Sequence, residues 1–157
     1  MKWTPLSFGK HEGKTLPQVL FKDPDWFFWA YKNRKFDEYQ NSLKNEVNKI
    51  HNRACNIRIP KPDENNYEIE HFIDPRTYKY AYFKIVPADQ GKHVGSSHTI
   101  RSKVIDMSIP RLYVEKDKKG NKYLVDGIKL YFFGDESYKM TKKRCEEFFN
   151  DDSNFRI

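Results

Sequence analysis

The chain has 157 residues, with 29 Lys and Arg against 22 Asp and Glu, which gives a formal net charge of +7. This is the length of one domain, so we expect residues 1–157 to form a single domain. Hydrophobic residues make up 38% of the chain and include 12 Phe, 10 Tyr and 3 Trp, which predicts a core rich in aromatic side chains. The longest apolar run, residues 26–31, is far shorter than the roughly 20 residues of a membrane helix. The N-terminus also lacks a leader pattern, so we expect a cytoplasmic protein with no membrane association.

Thr15 and Gln18 have the spacing of a capping box, which predicts a short helix after Thr15. Asp23 then supplies an N-cap, and Pro24 stands at the first helical position. A second helix, rich in Trp and Phe, is therefore predicted from about Pro24 to Asn33.

A third helix is predicted to follow Asp37, which has Gln40 three residues later as a second capping signal. Its apolar residues share one helical face: Leu43, Val47, Ile50 and Ala54. Residues 60–66 contain two prolines and no large apolar side chain, which indicates an internal linker.

After residue 66 the apolar period changes to two, and residues 67–86 predict a β-hairpin around the turn at residues 74–77. Residues 87–99 have the composition of a loop. A further strand is predicted at about 104–115, where Pro110 indicates an edge or a bulge.

Residues 118–121, Lys-Lys-Gly-Asn, predict a turn, and residues 123–133 are ambiguous between strand and helix. Gly134 is a natural helix end and favours the helix. A last helix is predicted from Thr141 to Asn150, with an earlier start at Asp135 or Glu136 as the alternative, and the tail 151–157 is expected to fray. The predicted fold class is α+β: N-terminal helices, a small antiparallel sheet and closing C-terminal helices.

Residues 6–16, Leu-Ser-Phe-Gly-Lys-His-Glu-Gly-Lys-Thr-Leu, form the most distinctive local pattern. Two glycines bracket Lys10 and His11, and Lys14 opens a short helix. Converging backbone N–H groups and a helix N-terminus can hold a phosphate, although the spacing is not that of a Walker loop. The alternative is a turn whose lysines are only solvated.

Residues 6–33 resemble the exodeoxyribonuclease X-like C-terminal domain, a small module with a glycine–lysine turn, an acidic-proline helix start and a tryptophan in the helix. The matching positions are Phe8, Gly9, Lys10, Gly13, Lys14, Thr15, Asp23, Pro24, Asp25 and Trp29. In that family the module often follows an exonuclease domain and is thought to assist nucleic-acid engagement. The resemblance thus implies a nucleic-acid partner, and no catalytic residue is carried over by it.

Two other groups of side chains are candidates for nucleic-acid contact. Tyr80 and Tyr82 lie at alternate positions of the predicted hairpin, where they could stack on bases or form a covered aromatic ladder. Lys142, Lys143 and Arg144 would fill the first turn of the last helix if Thr141 is its N-cap. Cations there oppose the helix dipole, and a bound anion would reverse that cost.

The search for catalytic residues finds no convincing set. Asp106 with Asp117 and Lys119 loosely resembles the pattern of metal-dependent nucleases, but Asp117 and Lys119 are expected in a turn. Other acidic and histidine residues form looser groups: Glu68, Glu70, His71 and Asp74 at the hairpin, and Asp89, His93 and His98 in the following loop. Cys55 and Cys145 lack zinc or disulfide spacing and are expected to be free thiols. We therefore predict no catalytic residue, no metal and no cofactor.

The leading hypothesis is a small basic nucleic-acid-binding or nuclease-accessory protein that is non-catalytic by itself, with DNA favoured over RNA. Its predicted contact residues are Lys10, His11, Lys14, Tyr80, Tyr82, Lys142, Lys143 and Arg144. One alternative is a metal-dependent nuclease. The other is a protein-interaction module of phage or mobile-element origin that binds a host protein through some of the aromatic rings at residues 26–31.

Overall fold

A computed structural model describes residues 1–39 and 41–157. These residues form six α-helices and one three-stranded antiparallel sheet, which confirms the predicted α+β class. The helices are α1 (Leu16–Lys22), α2 (Pro24–Lys32), α3 (Asn41–Ala54), α4 (Ile109–Tyr113), α5 (Lys118–Phe133) and α6 (Lys142–Asn150). The strands are β1 (Tyr67–Ile73), β2 (Tyr80–Pro87) and β3 (His98–Ser102).

The first two helices begin where their capping residues predict. The Thr15 N–H donates to Gln18 Oε1 at 3.0 Å, and the Trp26 N–H donates to Asp23 Oδ1 at 3.3 Å. Helix α3 begins at Asn41, so the start predicted at Asp37 is wrong: Asp37 lies in a turn, and its carboxylate accepts a hydrogen bond from Arg34 Nε at 2.6 Å. The capping role predicted for Gln40 lies outside the described residues.

The hairpin predicted at 67–86 is confirmed as β1 and β2, joined by a turn in which Asp74 Oδ1 accepts from the N–H groups of Arg76 and Thr77. Strand order is β2-β1-β3, so β1 is central and residues 88–97 cross from one edge to the other. The pairing shifts between Phe72 and Ile73, which face Tyr82 and Tyr80. This bulge leaves Ala81 as the extra residue of β2.

The strand predicted at 104–115 is wrong. The third strand is β3, which begins at the end of the predicted loop and extends beyond it to Ser102, and Ile109–Tyr113 is helix α4. Ile105 pairs only with Ile57, and Pro110 stands in the first turn of α4. A proline at that position lacks only an N–H that would have no helical partner, so it favours a helix start as readily as a strand edge.

The turn predicted at 118–121 is also wrong, because these residues form the first turn of α5. Asp117 is the N-cap, and its Oδ1 accepts from the Gly120 N–H at 3.0 Å. The ambiguous segment 123–133 belongs to the same helix, which ends at Gly134 in the left-handed conformation, as expected. Helix α6 begins after Thr141, whose hydroxyl accepts from the Arg144 N–H, and not at Asp135 or Glu136.

The prediction that the tail at residues 151–157 is frayed is wrong, because the tail packs against the core. Phe155 is 1% exposed, bridges to Ile57, and packs against Phe148 and Phe149. Arg53 is buried beside it and donates to the Phe149 carbonyl and to Asp152. The tail is therefore held by the buried Phe155 ring together with polar contacts to α3 and to the segment that follows it.

The core is continuous on both sides of the segment at 60–66 and includes side chains from Trp3 to Phe155. Helix α1 packs on α6, and α5 packs on β2. Both cysteines are free thiols, with Cys145 buried and Cys55 half-buried. Phe27 and Phe28 are also core residues, while Tyr31 stacks on His51 of α3 with 3.8 Å between the ring centroids. No helix in the described ranges is both long and apolar enough to cross a membrane.

Candidate nucleic-acid interface

The turn at residues 6–14 is closed by backbone hydrogen bonds. The Leu6 N–H donates to the Lys14 carbonyl, and the Gly13 N–H donates to the Leu6 carbonyl. Gly9 and Gly13 have φ of +74° and +86°, which L side chains rarely adopt. Gly9 also lies against Trp26 of α2. Both glycines therefore allow the backbone conformation of the turn, and Gly9 also allows the turn to pack against α2.

Asp23 fastens this turn to the start of α2. Its Oδ2 accepts from Lys10 Nζ at 2.8 Å and lies 3.0 Å from His11 Nε2, while Oδ1 accepts from the Trp26 N–H. Burial raises the pKa of Asp23, but the hydrogen bonds from Lys10, His11 and Trp26 outweigh it and hold the pKa below its usual value. Asp23 is thus ionised at neutral pH and holds the ammonium group of Lys10 at the edge of the lysine-lined surface beside Trp26.

Two adjoining clefts share the indole rings of Trp26 and Trp29. The lysine cleft, of about 420 Å³, is lined by Lys10, Asp23, Asp25, Trp26, Trp29, Lys116 and Lys118. The tyrosine cleft, of about 340 Å³, is lined by Phe8, Gly9, Trp26, Trp29, Asn33, Arg34, Lys35, Glu38 and Tyr39. Volumes of this size accommodate small organic groups such as a base or a nucleotide.

Asp25 positions the far wall of the lysine cleft. It is buried, and its Oδ1 accepts from Arg111 Nη1 at 2.8 Å and from the Lys116 N–H at 3.1 Å. Lys116 has a φ of +59°, uncommon for a residue with a side chain. The contact with Asp25 therefore holds Lys116 in a strained conformation at the mouth of the cleft, directly before the Asp117 cap of α5.

The charge in the lysine cleft is positive. Asp23 is paired with Lys10, and Asp25 with Arg111. In the described part of the chain, Lys116 and Lys118 form no ion pair with a carboxylate. The first turn of α5 also carries Lys118 and Lys119, whose cations oppose the helix dipole, while the Asp117 carboxylate at the N-cap complements it. A bound anion would offset the excess positive charge of Lys116 and Lys118.

His11 is not free to contact a ligand, contrary to the prediction. It is 5% exposed, and its ring packs edge-on against Trp26 with 5.1 Å between centroids. Lys14 lines a different cleft, of about 280 Å³, together with Gln18, Phe21, Lys22, Met140 and Cys145. Hydrogen-bonding contact with the Lys22 ammonium lowers the pKa of Lys14. Of the predicted residues in the turn, Lys10 alone lines the lysine cleft.

The two tyrosines predicted to stack on bases are separated by the bulge in β2. Tyr80 is 2% exposed, and its hydroxyl lies 2.7 Å from Nδ1 of the buried His71, so a base cannot reach it. Tyr82 is 43% exposed, but its ring stacks on Phe72 with 4.6 Å between centroids. Neither tyrosine lines the clefts at Trp26 and Trp29.

Lys142, Lys143 and Arg144 do occupy the first turn of α6, as expected if Thr141 is the N-cap. Lys143 Nζ lies 3.8 Å from Glu147 Oε1, and Arg144 donates to the Lys139 carbonyl. The Arg144 guanidinium also lies 4.4 Å from the centroid of the Tyr138 ring. None of the three cations lines the lysine cleft.

The residues weighed for a nuclease site have structural partners. Asp106 accepts from the N–H and hydroxyl of Ser108, and Asp117 accepts from the N–H groups of Tyr80 and Gly120. Glu68 and Glu70 both pair with Arg101. Within residues 1–39 and 41–157, no group of three or more His, Cys, Asp and Glu side chains could hold a metal ion.

Lys116, Lys118 and the exposed part of Trp29 are not among the predicted contact residues, although Lys116, Lys118, Lys119 and Lys122 form a basic cluster in the sequence. Asp117 followed by Gly120 was the available signal, since an N-cap there places Lys118 in a first helical turn. Comparison with family models, curated proteins and solved structures finds no match to this chain. The resemblance of residues 6–33 to the exodeoxyribonuclease X-like C-terminal domain accordingly rests on the matched residues alone.

Proposed function

We propose that this protein binds nucleic acid, with DNA favoured over RNA, through the lysine cleft and the adjoining tyrosine cleft. The observation that carries the proposal is the placement of Lys116 and Lys118, two cations without an acidic partner in the described chain, beside the indole rings of Trp26 and Trp29. Cations can contact the phosphates of either form of nucleic acid, and aromatic rings can stack on unpaired bases.

Phosphate contacts by Lys10, Lys116 and Lys118 would release counterions from the nucleic acid. The affinity should therefore fall as the salt concentration rises. The slope of log affinity against log salt concentration should reflect a small number of phosphate contacts. The resemblance of residues 6–33 to a module of an exonuclease family supports the same kind of partner. Asp23 and Asp25 contribute by holding the cations in place, and we assign them no catalytic step.

The test is fluorescence anisotropy with labelled oligonucleotides, single-stranded and duplex, at two salt concentrations. The double variant Lys116→Glu with Lys118→Glu should lose most of the affinity at low salt. The matched control changes two other exposed lysines that line neither cleft, Lys49→Glu with Lys92→Glu, and so alters the net charge equally. Absence of binding at low salt, or an equal loss in both double variants, would contradict the proposal.

A further inference from the structure

The tryptophan surface between the two clefts is recessed. Trp26 is 9% exposed and Trp29 is half-buried, and both rings form walls of concave clefts. The ammonium of Lys35 lies 5.7 Å from the centroid of the Trp29 ring, so positive charge stands directly at the indole. A ligand that reaches this ring must enter a cleft lined by lysine side chains.

A duplex cannot make that contact without disruption. Its bases are paired and stacked, and it presents phosphates and base edges along its grooves. An unpaired base exposes its flat face and can enter a cleft to stack on an aromatic ring. The size of the lysine cleft, about 420 Å³, fits one such base with its sugar better than it fits the convex surface of a duplex.

We propose that the ligand is a single strand, with an unpaired base inserted against Trp29 and the flanking phosphates held by Lys116 and Lys118 on one side and by Lys35 on the other. This inference rests on the proposed function and specifies the form of nucleic acid that the same site selects. The shared indole wall allows consecutive nucleotides to occupy the lysine cleft and the tyrosine cleft in turn.

Charge alone predicts that a duplex binds at least as tightly as a single strand. The relative affinities of the two forms therefore test the inference. A duplex carries two phosphates for every one on a single strand of equal length, so a purely electrostatic surface binds duplex at least as well. The experiment compares the affinities of a labelled single strand and its duplex for the full chain at the same salt. It repeats both titrations with Trp29→Ala and with Trp29→Phe, after thermal melts show that each variant is folded.

The expected result is at least tenfold tighter binding of the single strand, quenching of tryptophan fluorescence on binding, and a loss of about tenfold in Trp29→Ala that Trp29→Phe largely restores. Duplex affinity should change little in either variant. Equal or tighter duplex binding, or single-strand binding that is insensitive to Trp29→Ala, would overturn the inference while leaving nucleic-acid binding intact. Failure of both ligands to bind would instead overturn the proposed function itself.

Discussion

Gly9 lies in direct contact with Trp26, and a Cβ atom at residue 9 would stand 3.1 Å from Cζ2 of the indole. That distance is shorter than about nine in ten real Cβ contacts, and the indole is buried and cannot easily move aside. The contact seats the turn at residues 6–14 against α2. It thereby brings Lys10 to the edge of the lysine cleft.

Replacing the two glycines of the turn should separate backbone strain from packing. Gly13→Ala introduces strain at a φ of +86° with no atom within 4 Å of the new Cβ, and should cost about 1 kcal/mol. Gly9→Ala adds the clash with Trp26 and should cost about 2–3 kcal/mol in total. Urea unfolding measures both variants. Equal losses would show that the indole yields to the new methyl group.

The C-terminal tail should contribute to stability through Phe155. Phe155→Ala removes a fully buried ring that packs on Phe148 and Phe149, and should lower the free energy of unfolding by about 3–5 kcal/mol. Ile157→Ala, at a position that is 65% exposed, is the control and should change it by less than about 0.5 kcal/mol. Thermal or urea unfolding of both variants provides the comparison, and a small effect at Phe155 would support a tail that is detached in solution.

Stability should fall between pH 6.5 and pH 4 because of His71. Burial lowers the pKa of His71 to about 4, against 6.5 for a free imidazole. The unfolded chain therefore takes up a proton below pH 6.5 that the folded chain refuses until about pH 4. The contribution of neutral His71 to the free energy of unfolding is complete above pH 6.5. About 3 kcal/mol of this contribution is lost as the pH falls from 6.5 to 4. Urea midpoints measured across the window test the expected slope.

The control for this titration removes the ionisable ring and its partner together. His71 Nδ1 lies 2.7 Å from the Tyr80 hydroxyl, so His71→Phe alone would leave that hydroxyl buried without a partner. His71→Phe combined with Tyr80→Phe should flatten the stability profile between pH 4 and 6.5. A double variant with the same slope as the parent would assign the pH dependence to another group.

Gly127 should resist replacement although it lies inside a helix. Alanine favours helix by about 1 kcal/mol over glycine, which by itself predicts stabilisation. A Cβ at residue 127 would stand 2.5 Å from Cε1 of Phe83, a buried ring of β2 against which α5 packs. We expect Gly127→Ala to destabilise the protein by about 1–3 kcal/mol, because the clash outweighs the helix preference. A rise in melting temperature would contradict this expectation.

Local sequence signals located most of the elements. Capping residues place the starts of α1, α2 and α6, and alternation places β1 and β2. Two of the failures share a cause: Pro110 and the segment Lys118-Lys119-Gly120-Asn121 suit helix starts as well as the predicted strand edge and turn. Which of two compatible conformations forms depends on distant partners, such as the Asp117 carboxylate that also accepts from the Tyr80 N–H.

The sequence by itself determined the α+β class, the closed glycine–lysine turn and the basic character of the chain. Only the tertiary structure decided which cations line the same cleft. Lys10 and Lys14 are four residues apart, yet Lys10 faces Lys116 and Lys118 across the tryptophans, while Lys14 faces Lys22 beside α6. Periodicity and capping are properties of neighbours along the chain. The lysine cleft is lined by residues that are separated by about a hundred positions, and their proximity depends on how the helices pack around a common core.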